Sequence, residues 1–251
     1  MIHFVGAGPG APDLISVRGA KLIEEADVII YAGSLVNPDV LQNRKKECVV
    51  HDSAYMTLEQ VIGVMKQADE EHKELVRLHT GDQSLYGAIR EQMDELIRLG
   101  IPYDDVPGIS SFCGAAAALQ TEYTLPGVSQ SVIITRMEGR TPVPDREKLR
   151  EMARHGCSMV IFLSMGLIRD VVQELLQGAY SEESPAAIVY KATWPEEKVF
   201  YCTVGTLAET AEREGIRKTA LIVVGDFLNV SYERSKLYDP GFTTEFREAE
   251  K

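Results

Sequence analysis

Ile2-His3-Phe4-Val5-Gly6-Ala7-Gly8-Pro9-Gly10-Ala11 runs from a short β-branched and aromatic stretch into a glycine-rich turn, and Val17 to Glu25 follows with apolar residues at helical spacing. A strand leading through a tight turn to a helix is the elementary unit of α/β folds. The same alternation recurs along most of the chain. Strands are predicted at Asp27 to Tyr31, Cys48 to His51 and Glu74 to His79, with helices at Leu58 to Ala68, Ala88 to Leu99 and Phe112 to Gln120. Thr57-Leu58-Glu59-Gln60 opens the second helix with a capping-box pattern, and Gly100 closes the third.

Near Leu125-Pro126-Gly127 the pattern resets. Strands follow at Ser131 to Thr135, Ser158 to Leu163, Pro185 to Lys191, Lys198 to Thr203 and Ala220 to Val224, with helices at Glu147 to His155, Leu167 to Gln177 and Leu207 to Glu214. The expected architecture is therefore two α/β domains with mainly parallel sheets. The first covers 1–123 and the second 124–230, and a polar tail over 231–251 lies on the surface.

The 251 residues are 45% hydrophobic and 25% charged, ordinary globular usage that excludes a disordered chain. A net charge of −12 without a Lys/Arg stripe argues against a nucleic-acid partner and requires that any anionic ligand be held locally. No apolar run reaches the roughly 18 residues of a membrane span, and Met1 leads into Ile2 without a signal-type segment, so no membrane association and a cytoplasmic location are expected. Cys48, Cys113, Cys157 and Cys202 are widely spaced, which predicts reduced thiols rather than a metal or disulfide site.

Gly6-Ala7-Gly8-Pro9-Gly10-Ala11 formally satisfies the dinucleotide fingerprint. Two details oppose NAD or FAD. Pro9 and Pro12 remove amide donors where a helix N-terminus should meet pyrophosphate, and the helix is predicted to begin near Ser16. The second strand also carries its carboxylate, Asp27, at the start rather than the end. The glycines alone would equally serve a structural turn.

Thr80-Gly81-Asp82-Gln83-Ser84-Leu85-Tyr86-Gly87 lies between a strand and a helix, at the sheet end where open α/β folds bind ligands. Gly81 permits close backbone approach, and Asp82 is suited to accept hydrogen bonds from a ribose or amino group; Asp82 or Ser84 would otherwise cap the next helix. Pro107-Gly108-Ile109-Ser110-Ser111 is a third loop of this kind. Thr135 to Pro142 concentrates Arg136 and Arg140 in a glycine-containing loop suited to carboxylates, or else simply solvated.

Taken in order, Val5 to Leu14, Gly81 to Gly87, Val106 to Ser111 and Phe162-Leu163-Ser164-Met165 resemble the tetrapyrrole methyltransferases that use S-adenosylmethionine (SAM), over nearly the whole chain. Tyr31 to Val36, His51 to Leu58, Thr135 to Pro144 and Ser235 to Phe242 mark one branch of that family, in corrin biosynthesis. The resemblance implies a homodimer of two-domain subunits, a ligand cleft between domains, a tetrapyrrole acceptor and S-adenosylhomocysteine (SAH) as product.

By motif position it assigns SAM to Pro9, Thr80, Gly81, Asp82, Leu85, Ser110 and Ser111 of the first domain. Met165, Tyr190, Lys191, Thr219, Ala220 and Leu221 would contribute from the second. Asp82 is the candidate catalytic group, while Arg18, Arg136 and Arg140 are candidates for the substrate carboxylates. Gln83 stands where the family commonly has proline, which implies a less rigid loop. A different acceptor, such as uroporphyrinogen III or another precorrin, and a non-catalytic SAM or tetrapyrrole carrier are the alternatives.

Overall fold

A computed structural model describes residues 1–33, 35–229 and 231–249. Two compact units are present: Met1–Ala115 with Lys191–Glu197, and Ala116–Tyr190 with Lys198–Lys251. The first division falls inside a helix, Ser111–Leu119, rather than at residue 123. Its early residue Gly114 meets Pro9, whereas the Leu119 carbonyl accepts a hydrogen bond from Tyr201 Oη at 3.1 Å. The segment beyond 231 groups with the second unit, and Glu233 N donates to Pro126 O at 3.2 Å. Ser34, Val230, Glu250 and Lys251, which fall in the branch-marking segment and at the expected domain ends, lie outside the described residues.

The first unit is built as β1 (Ile2–Gly6), α1 (Val17–Glu25), β2 (Val28–Tyr31), β3 (Val49–Asp52), α2 (Leu58–Glu70), β4 (Leu75–His79), α3 (Arg90–Leu99), β5 (Tyr103–Val106) and α4 (Ser111–Leu119). Its strands form one parallel sheet in the order β3-β2-β4-β1-β5. The two-residue period decides what each face buries. Val5, Ile29, Val76 and Leu78 pack with Ile23 of α1, while Ile2, Phe4, Val28, Ile30 and Leu75 pack with Val61 and Met65 of α2 and Leu96 of α3. Local chemistry sets the helix starts. Ser16 Oγ accepts from Gly19 N at 3.0 Å, and Thr57 N donates to Gln60 Oε1 at 2.8 Å while Gln60 N donates to Thr57 Oγ1 at 3.4 Å.

Strand β5 was not among the predicted strands. Tyr103-Asp104-Asp105-Val106 places two carboxylates in sequence and lies at the sheet edge, paired only with β1. Asp has poor strand propensity, so tertiary contacts make this strand. His3 supplies one, with Nδ1 2.6 Å from Asp104 Oδ1 and Nε2 2.9 Å from Glu74 Oε2.

The second unit contains β6 (Val132–Arg136), α5 (Leu149–Ala153), β7 (Ser158–Phe162), α6 (Ile168–Leu176), β8 (Pro185–Tyr190), β9 (Lys198–Thr203), α7 (Leu207–Arg213) and β10 (Ala220–Val224). The order is β6-β7-β10-β8-β9, and α5, α6 and α7 bury Met159, Ile161, Ile188 and Ile222 on one face. Parallel pairs predominate across the two sheets together, but this second sheet is mixed. Only β6 and β7 run parallel, whereas β7–β10, β10–β8 and β8–β9 are antiparallel. Seven residues join β8 to β9, too few for the crossover that parallel neighbours need.

Candidate functional site

Three loops leave the carboxyl ends of the adjacent strands β4, β1 and β5, and backbone pairing welds them together. Gly6 lies opposite His79, and Val5 opposite Val106. Beyond the strands, Ala7 N donates to His79 O at 2.7 Å, Gly8 N to Gly81 O at 3.2 Å and Gly81 N to Gly8 O at 2.8 Å. Space at this junction is so limited that side chains are excluded. A Cβ on Gly6 would lie 2.6 Å from both Gly108 Cα and Gly81 O, well inside van der Waals contact.

Asp82 closes the junction. Its Oδ2 accepts from Gly108 N at 2.9 Å, and its Oδ1 accepts from Ser84 N at 3.0 Å and from the Ser84 hydroxyl. Partial burial pushes the carboxyl pKa up, but the bonds from the Ser84 hydroxyl and the two amides outweigh it and hold the group below its ordinary value. Neither Asp82 nor Ser84 caps the following helix, since α3 begins at Arg90 behind Ile89.

Gln83 does not leave the loop loose, contrary to the expectation from its replacement of proline. It is 2% exposed, and its Nε2 donates to Val106 O at 3.0 Å and to Asp105. A side-chain tether to β5 supplies the constraint that a proline ring would have supplied by fixing φ. Ser110 is buried, and Ser110 O accepts from Cys113 N at 3.0 Å at the start of α4. Pro9 is likewise buried, Thr80 and Leu85 are partly exposed, and Arg18 stands exposed near the start of α1. The glycine turn is followed by a 3-10 turn over Pro12–Leu14 before α1, so no helix N-terminus opens inside it as dinucleotide binding would require.

Beneath these loops β4 buries two basic side chains. Arg77 donates to Gln92 Oε1 at 3.0 Å and to Ile30 O at 3.3 Å, and burial lowers its pKa to about 10. His79 is 5% exposed, and burial, with the Arg77 charge adding to it, lowers its pKa to about 3. The imidazole is therefore neutral at physiological pH.

In the second unit, pairing brings most of the remaining candidates to one edge of the sheet. Arg136 lies opposite Phe162, Ile161 opposite Ile222, and Tyr190 opposite Ala220. The ends of β6, β7 and β8 and the start of β10 thus share that edge, bringing together Arg136, Met165, Tyr190, Thr219, Ala220 and Leu221. Ser164 links two of the loops, accepting from Met137 N at 2.8 Å and donating to Phe162 O at 2.6 Å. The Tyr190 ring packs against the helix-covered core, so main-chain atoms are what this residue offers at the edge. Arg136 Nη2 donates to Thr141 O at 3.1 Å and Pro142 O at 3.3 Å and shapes its own loop, whereas Arg140 is exposed.

Lys191, which directly follows Tyr190, opens the β8–β9 connection Lys191–Glu197, and that connection groups with the first unit. There Thr193 Oγ1 accepts from Ala11 N at 3.0 Å, and Trp194 lies against Gly10. From the opposite part of the sequence Asn37 Nδ2 donates to Gly10 O at 3.0 Å. Thr193, Trp194 and Asn37 were not singled out from sequence. For Thr193 and Trp194 the one signal is Ala192-Thr193-Trp194-Pro195, which holds the only tryptophan of the sequence next to a proline.

Comparison with known proteins finds relatives over the whole length of the chain. A chain 54% identical over 251 residues, covering 100% of this protein and 97% of the relative, is the cobalt-precorrin-4 C(11)-methyltransferase of Methanocaldococcus jannaschii. Among solved structures, the cobalamin biosynthetic enzyme cobalt precorrin-4 methyltransferase superposes with a TM-score of 0.89 at 46% identity, covering 91% of this chain and 96% of its own. Uroporphyrin-III C-methyl transferase from Thermus thermophilus, complexed with S-adenosyl homocysteine, gives 0.77 at 26% identity, with coverage of 93% and 95%. The family model for tetrapyrrole (corrin/porphyrin) methylases matches residues 1–208, taking in the three loops of the first unit and the β8–β9 connection, and the chain belongs to that family.

Proposed function

We propose that this protein transfers the methyl group of SAM to C11 of cobalt-precorrin-4, or of its metal-free counterpart, in cobalamin biosynthesis. The observation that carries the reading is the junction of Gly6, Gly81 and Gly108, which presents three loop backbones at adjacent strand ends in a full-length relative of C11-methyltransferases. Such close-packed main chain, free of side chains, fits a nucleotide donor held largely through backbone groups.

SAM supplies a methyl group already activated by its sulfonium, so transfer to a ring carbon leaves SAH and needs no nucleophilic side chain. The protein's task is alignment and exclusion of water. In the first unit we assign donor binding to Pro9, Thr80, Gly81, Leu85, Ser110 and Ser111, together with Lys191, the first residue of the turn that packs on Gly10. In the second we assign it to Met165, Thr219, Ala220, Leu221 and the main chain of Tyr190. Asp82, ionised and engaged by three donors, organises the loops in this reading and does not relay a proton. Arg140 and Arg18, both exposed on a chain of net charge −12, meet the acceptor's carboxylates, and Arg136 holds the loop that carries Arg140. The same reading has the protein working as a cytoplasmic homodimer, which sedimentation at micromolar concentration tests; among the described residues no helix is long and apolar enough to cross a membrane.

The deciding experiment incubates the protein with methyl-labelled SAM and cobalt-precorrin-4, metal-free precorrin-4 or uroporphyrinogen III, and locates the label by mass spectrometry and NMR. Label at C11 of either precorrin-4 form supports the proposal. Transfer only to uroporphyrinogen III, or SAM binding without transfer, refutes it in favour of a different acceptor or a carrier.

A further inference from the structure

The Lys191–Glu197 turn holds an unusual backbone. Lys191 has φ of 47° and Thr193 φ of 67°, left-handed values that L-residues, and β-branched threonine above all, seldom adopt. Strain of this kind persists only where surrounding contacts over-determine it, and it concentrates at functional sites. Here the contacts are specific. Thr193 N donates to Glu197 Oε2 at 2.6 Å, Trp194 N to Lys191 O at 3.0 Å and Glu197 N to Trp194 O at 3.0 Å. The Lys191 ammonium sits 3.3 Å from Glu196 Oε1 and 4.8 Å from the centre of the Trp194 ring.

The strained turn is directed at the glycine loop. Thr193 Oγ1 takes the Ala11 amide proton, and a Cβ on Gly10 would fall inside the Trp194 indole and 2.9 Å from Ala192 O. A Cβ on Gly114 would lie 2.9 Å from Pro9 Cβ and 3.3 Å from Thr193 Cγ2, so Pro9 is also held from the α4 side. With Asn37 Nδ2 donating to Gly10 O, the stretch Pro9-Gly10-Ala11 is gripped by a hydroxyl that accepts from Ala11 N, an indole against Gly10 and a side-chain amide that donates to the Gly10 carbonyl.

We propose that Thr193 and Trp194 are positioning residues that clamp Pro9-Gly10-Ala11 in the conformation that receives the methyl donor. The proposal rests on the methyltransferase reading above. It assigns to the β8–β9 turn a part in donor affinity without direct participation in transfer. The clamp acts by preorganisation: a loop already fixed loses less freedom when the nucleotide binds.

Because Trp194 is the only tryptophan, its emission reports on the clamp directly. The experiment titrates the full-length protein with SAH and follows tryptophan fluorescence in parallel with calorimetry. It then repeats both for Thr193→Val, Thr193→Ser and Gly10→Ala, with melting temperatures recorded. Expected are an emission change that saturates at the calorimetric Kd, a Kd about five-fold weaker in Thr193→Val, and near-normal binding in Thr193→Ser, which keeps the acceptor oxygen. Gly10→Ala should weaken SAH by more than Thr193→Val and red-shift the emission before ligand is added. Heat of SAH binding with constant emission, and with Thr193→Val and Gly10→Ala binding as tightly as the parent, would overturn the clamp while leaving the methyltransferase reading standing. Absence of any SAH binding to the parent protein would overturn that reading and the clamp with it.

Discussion

Replacing Gly108 by alanine adds one methyl group at the tightest point of the loop junction. Its carbon would sit 2.7 Å from Gly6 Cα and 2.9 Å from Gly6 C, and closer still to Gly81 O. All three are main-chain atoms, and Gly6 ends a fully buried strand paired on both sides, so no side-chain rotation relieves the clash. Overpacking a rigid site costs roughly 1–3 kcal/mol, and an entirely backbone neighbourhood puts Gly108→Ala near the upper end, about 3 kcal/mol. For a protein of this size that lowers the melting temperature by roughly 6–12 °C.

The same chemical change at Gly63 is the internal control. Gly63 lies within α2 with nothing within 4 Å of its would-be Cβ, so alanine there should stabilise by about 0.5–1 kcal/mol through helix propensity. Scanning calorimetry and SAH titration on the two variants make the assay. Gly108→Ala should melt lower and bind SAH at least ten-fold more weakly, by an order-of-magnitude inference from loop displacement, while Gly63→Ala melts slightly higher and binds normally. If Gly108→Ala melts within a degree of the parent and binds SAH unchanged, the junction is not the tightly packed donor support described above.

Three further outcomes follow from the electrostatics. His79 has its folded pKa depressed to about 3 against an unfolded value near 6.5, so between these limits the unfolded chain takes up a proton that the native state refuses. Stability should therefore fall as pH drops, by on the order of 2 kcal/mol between pH 6.5 and 5; in His79→Leu this part of the slope disappears from denaturant titrations, whatever its absolute stability. Asp82, with its pKa lowered, contributes stability above about pH 4 that is lost as pH falls through its folded value. Asp82→Asn should flatten that acid limb, cost about 1 kcal/mol at neutral pH and loosen SAH binding, and an unaltered acid limb would contradict the role given to its bonds with Gly108 and Ser84. Arg140→Ala should raise the KM for the tetrapyrrole several-fold and leave SAH affinity unchanged, consistent with the usual strength of a charge-assisted hydrogen bond; an equal loss of both would refute the division between donor and acceptor groups.

Much of this architecture is written in local pattern. Alternating residues such as Phe4 and Val5 encode two buried faces, the Thr57–Gln60 pair encodes a helix start, and glycine-rich turns after apolar strands mark the ends where ligands bind. These features depend on neighbours a few residues apart, which is why α1, β9 and β10 occur at the positions expected from sequence. The short β8–β9 connection even carried the information that those strands run antiparallel.

The meeting of Gly6, Gly81 and Gly108 is a different kind of fact. It requires β1 to lie between β4 and β5, a choice made by long-range pairing, and β5 itself exists against the propensity of Asp104 and Asp105 because β1 and His3 hold it. Likewise Gln83 reads as the loss of a proline until Val106 O is seen to accept its amide, and Trp194 reads as a lone aromatic until Gly10 is found beneath it. Sequence period determined which residues are buried and where chains turn. Only the tertiary structure decided which turns touch, because burial is a property of each segment and its period, whereas adjacency depends on the free energy of the whole chain.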